Sequence, residues 1–67
     1  MMQGRVLWYC DALGYGFIHP DEGRGKILVT RTGINGSGPR FLENGAKVTY
    51  KTIWGREGIE AKGVSIV

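Results

Sequence analysis

The chain has 67 residues with nine Lys and Arg against six Asp and Glu, a net charge of +3. A domain this small buries only about 60% of the surface its unfolded chain exposes, which leaves little volume for a deep catalytic cleft. The single Cys10 excludes an internal disulfide, and the single His19 with no paired-cysteine spacing excludes a zinc cage.

Twelve glycines separate short runs rich in Val, Ile, Thr, Tyr and Trp, the composition of strands and turns and not of helices. Five strands are predicted: Gly4 to Cys10, Tyr15 to His19, Lys26 to Arg31, Ala46 to Trp54 and Ile59 to Ile66. "PDEGRG", Pro20 to Gly25, reads as the turn between the second and third, and "WGREG", Trp54 to Gly58, as the hairpin between the fourth and fifth. Between them lies the long connection Thr32 to Gly45, expected to hold a single helical turn near Phe41 to Asn44. In the last strand Lys62-Gly63 breaks the two-residue period and predicts a bulge, the device by which a small barrel turns a corner. One all-β domain covering residues 1–67 follows, as a small sandwich or barrel.

No catalytic constellation is visible. One His beside scattered carboxylates is no triad, "GINGSG" lacks the Lys-Ser/Thr that completes a phosphate loop, and adjacent Asp21 and Glu22 in a turn point apart. Neither a signal peptide nor an apolar run of about 20 residues appears, so a soluble, cytoplasmic protein without membrane contact is expected. The positive charge favours an anionic partner.

The aromatic residues carry the most information. Trp8, Tyr9, Tyr15, Phe17, Phe41, Tyr50 and Trp54 exceed what one small core needs when Val6, Ile18, Ile27, Val29, Val48, Ile53, Val64 and Ile66 already fill it. In "LGYGFI", Leu13 to Ile18, Tyr15 and Phe17 share one face with His19 while Ile18 shares the other with Gly14 and Gly16. Pattern alone allows either face to be the core. If Ile18 points inward, the two rings become platforms on which unpaired bases stack.

The whole chain resembles the bacterial cold-shock proteins. Gly4-x-Val6-x-Trp8-Tyr9 is similar to the family's opening G-x-V-K-W-F, "GYGFI" to its first ribonucleoprotein motif, "HPDEG" to the turn that follows, and Leu42-Glu43-x-Gly45-x-x-Val48 to L-x-x-G-x-x-V. The resemblance implies a five-stranded antiparallel OB-fold barrel, no enzyme activity and no cofactor, binding single-stranded RNA or DNA as an RNA chaperone or regulator, monomeric or a weak homodimer. It also implies that Trp8, Tyr15 and Phe17 are exposed and stack bases; Tyr9, Arg31, Arg5, Arg40 and His19 are expected to edge the site.

The departures are specific. The family's second motif, V-F-V-H-F, aligns with Ile27 to Arg31, so the inward positions are kept and three ligand-facing rings are gone. A loop aromatic aligns with Pro39, two lysines with Leu7 and Leu13, and the final hairpin is about one residue shorter. Binding is therefore expected to be weak and low in sequence preference. The other reading is a drifted barrel that self-associates or docks proteins through an apolar patch of Leu7, Leu13 and Leu28. Trp54, where the family usually has a polar residue, reads as a partly packed hairpin residue.

Overall fold

A computed structural model describes residues 2–35 and 42–67. Five strands, β1 (Met2–Cys10), β2 (Tyr15–Pro20), β3 (Ile27–Thr30), β4 (Lys47–Gly55) and β5 (Gly58–Ile66), close into a barrel in the order β1-β2-β3-β5-β4. The expected barrel is present, and each predicted strand lies within a few residues of the observed one. Four pairings are antiparallel, whereas the closing pair β3–β5 is parallel, with Leu28 opposite Glu60 and Val29 opposite Ala61. The β4–β5 hairpin reverses the chain once more before it returns to β3, and that sets the direction.

β3 ends at Thr30, one residue earlier than predicted. Arg31–Gly33 form a 3-10 turn, after which Ile34 bridges Val64 of β5. The helical turn in the long connection therefore sits at its start. Phe41 lies outside the described residues, and Asn44-Gly45 form a plain turn.

The core consists of Val6, Ile18, Val29, Ile34, Leu42, Val48, Tyr50, Ala61 and Val64. Two of the aliphatic residues assigned to it from sequence, Ile53 and Ile66, are exposed instead. Ile34 and Leu42, from the connection that reads as a glycine-rich loop, are buried in the core in their place, and Tyr50 supplies the largest buried side chain.

Two bulges shape the barrel. In β5 the register against β4 slips between Thr49–Ser65 and Lys51–Lys62, so one extra β5 residue faces Tyr50. Gly63 occupies it with φ +63°, a left-handed conformation that glycine adopts without steric cost, as the sequence predicts at Lys62-Gly63. The second bulge lies in β1, where Val6 pairs with Ile18 but Trp8 pairs with Phe17, leaving Leu7 unpaired. Past it, β1 presses onto β2. A Cβ at Gly16 would overlap the Trp8 carbonyl oxygen and stand 2.6 Å from the Tyr9 Cα.

Two consequences are measurable. Gly16→Ala must push β1 off β2 and is expected to cost about 2–3 kcal/mol, a large share of the few kcal/mol a domain of this size commands, read as a lower urea midpoint. Burial raises the pKa of Tyr50 above its ordinary 10.0, and its hydroxyl has no hydrogen-bond partner among the described residues. The unfolded chain therefore loses that proton first, and stability falls as pH rises past about 10. Tyr50→Phe is expected to gain about 1 kcal/mol at neutral pH and to flatten this alkaline decline in urea titrations.

Candidate nucleic-acid interface

Strict alternation along β1 would send Trp8 inward with Gly4 and Val6. The unpaired Leu7 shifts the phase by one residue, so Trp8 turns outward and Tyr9 inward. β2 keeps its phase: Ile18 is fully buried, and Tyr15 and Phe17 face out. Three rings thus meet on adjacent strands. Trp8 and Tyr15 have centroids 5.5 Å apart, Tyr15 and Phe17 6.1 Å, both edge to face. Such geometry stiffens each ring against its neighbour without hiding all its faces.

The face continues onto β3, where Leu28 pairs with Phe17 and Thr30 with Tyr15. These are the positions where the aligned motif has lost its rings, so the surface persists as an apolar and hydroxyl floor. An open groove of about 1010 Å³ runs from Leu13, Tyr15 and Phe17 across Leu28 and Thr30 to Ile59 and Glu60 of β5. Lys26 enters it with Nζ 4.5 Å from the Phe17 centroid, a cation–π contact. Lys26 was not among the sequence candidates, although the alternation that places Leu28 and Thr30 outward also places Lys26 there.

Arg5 and His19 pair across β1 and β2 beyond the rings. The Arg5 guanidinium donates to the Gly45 carbonyl at 3.1 Å, and His19 Nδ1 lies 3.1 Å from the Gly25 carbonyl, leaving its Nε2 outward. Both are exposed and form one rim. Arg31 is held differently. Its guanidinium donates to the Asp11 carbonyl, its Nε lies 3.6 Å from the Asp11 carboxylate, and it covers Gly14, clamping the turn that delivers Tyr15. Tyr9 is not brought to the ring face at all: it pairs with Gly16 and packs against the core. Arg40 lies outside the described residues.

Trp54 corrects the expectation of a partly packed ring. It is 82% exposed, opposite Ile59 at the end of the hairpin, where β4 and β5 run beyond the barrel and no core remains to cover it. Among the described residues no three His, Cys, Asp or Glu side chains converge as a metal site, and no helix is long and apolar enough to cross a membrane.

Residues 2–67 match a family profile described as "'Cold-shock' DNA-binding domain". The chain is similar to the probable cold shock protein A of Mycolicibacterium smegmatis, 39% identical over 67 residues and the whole of both chains. It is 38% identical over 64 residues to the major cold shock protein CspA of Pseudomonas aeruginosa, covering 96% of this chain and 91% of that one. The cold shock protein CspB of Bacillus caldolyticus is likewise 38% identical over 64 residues, 96% of each. With a closed five-stranded barrel, an outward ring cluster and a match over nearly its whole length, the chain belongs to the cold-shock domain family of nucleic-acid-binding proteins.

Proposed function

We propose that the protein binds single-stranded RNA or DNA by stacking bases on Trp8, Tyr15 and Phe17, weakly and with low sequence preference, and acts as an RNA chaperone without chemistry. The observation that carries this reading is the contiguity of the three rings on the outer face. A hydrophobic core would have gained from burying them. Their exposure is made possible by a bulge and two glycines whose local cost needs a return elsewhere.

The site supports stacking better than base reading, because every base offers a π-face and ring stacking is indifferent to its edges. Lys26 rests on the Phe17 face, so an incoming base displaces its ammonium, which then meets an adjoining phosphate. Arg5 and His19 give the rim a cation and an outward imidazole nitrogen for the same backbone. Arg31 contributes by holding the Asp11–Gly14 turn, with its charge partly matched by Asp11.

Three stacked bases at about 1–3 kcal/mol each supply about 3–9 kcal/mol, whereas micromolar affinity corresponds to about 8 kcal/mol. Affinity weaker than micromolar follows over most of that range, reaching about micromolar only at its upper end. A short pyrimidine-rich strand at low salt should quench tryptophan emission, and the absence of quenching at several hundred micromolar strand would sink the proposal. Alanine at Trp8, Tyr15 or Phe17 is expected to weaken binding about 5- to 150-fold without unfolding the barrel. Arg5→Ala should lower affinity evenly across sequences and flatten the salt dependence by roughly 0.7 in log–log slope.

A further inference from the structure

The β4–β5 hairpin carries an aromatic residue that the ring face does not use. Trp54 pairs with Ile59, so their side chains project from one face of the hairpin, the face that Tyr50 and Ala61 turn into the core lower down the same strands. At the hairpin end that face opens on the groove. Ile59 lines it together with Tyr15 and Phe17, and Arg56 from the hairpin turn lines it as well. Trp54 is 82% exposed against 39% for Trp8, so most of its ring surface is open to a ligand.

We propose that Trp54 is a fourth base-stacking residue, which receives a further base of the same single strand once that strand has crossed the groove from Trp8, Tyr15 and Phe17. This rests on the ring-face reading above. From β2 through β3 and β5 to β4 the barrel wall crosses three strand spacings, about 14 Å, so the strand must run a few nucleotides past the first rings. A single OB barrel covers about 4–16 nucleotides, and the added reach stays within that footprint. A π-face accepts any base, so the low sequence preference is kept. Glu57 and Glu60 line the groove alongside Lys26 and Arg56, two carboxylates against two cations, which leaves little net attraction for phosphates there. The added affinity therefore comes from stacking. The rings absent from β3 are in part replaced by one on β4, at the far end of the same groove.

The chain has two tryptophans, so each end of the groove can be read separately by titration with heptathymidine at low salt. In Trp8→Phe, which keeps a ring on β1, Trp54 is the sole tryptophan, and the strand is expected to quench its emission. In Trp54→Thr, which keeps a strand-forming side chain and removes the π-face, Trp8 should report binding about 5- to 150-fold weaker than native with an unchanged salt slope. Trp54→Phe should recover most of that loss. Constant Trp54 emission in Trp8→Phe while Trp8 is quenched in Trp54→Phe, or undiminished affinity in Trp54→Thr, overturns the assignment and leaves the ring face intact. A mass by light scattering that doubles with concentration in the native protein but not in Trp54→Thr overturns it too, giving the ring to a second copy of the chain. Quenching of neither tryptophan at several hundred micromolar strand brings down the ring-face reading, and this inference with it.

Discussion

The unpaired Leu7 in β1 is the constraint on which the functional face depends. An antiparallel ladder fixes side-chain direction residue by residue, and only an inserted residue can reverse it midway along a strand. Before Leu7 the strand serves the barrel through Gly4 and Val6. After it the strand serves the surface through Trp8, while Tyr9 takes over the inward position. The close approach of the displaced strand then requires Gly16 beneath it, so the second glycine of "LGYGFI" and the position of Trp8 are one arrangement seen from two strands.

The sequence made the architecture legible to a large extent, for physical reasons. Glycine punctuation and β-branched runs located five strands, and the broken phase at Lys62-Gly63 located a bulge because glycine there coincides with the slip. The Leu7 bulge left no such mark. Leu7 is neither glycine nor proline, and "RVLWYC" reads equally well with Trp8 in or out, so only pairing with β2 resolves it. Ile34 and Leu42 were equally hidden, since a connection full of glycine gives no periodicity from which to infer that its apolar residues join the core.

The site was legible in its rings and less so in its charges. Tyr15 and Phe17 follow from Ile18 by alternation, but whether a cation faces ligand or neighbour depends on contacts distant in sequence. Arg31 meets Asp11 twenty residues away, and Lys26 settles on Phe17 rather than projecting alone. Where the aligned motif would place a ring, Arg31 instead braces a turn. That contact ties Arg31, at the start of the 3-10 turn, to the Asp11–Gly14 turn that leads into Tyr15.

Closure of the barrel by β3 and β5 has a wider bearing on how such a surface can change. In an open sheet, an unpaired strand offers its main-chain donors and acceptors to any extended partner, and recognition is tied to the backbone itself. Here every strand has two neighbours over part of its length, so along the closed stretch recognition falls to outward side chains. Those side chains can be replaced one at a time while the ladder beneath them keeps its hydrogen bonds. A closed scaffold of this kind separates the chemistry of its face from the stability of its fold, and the exchange of rings for Leu28, Thr30 and Arg31 is what that separation permits.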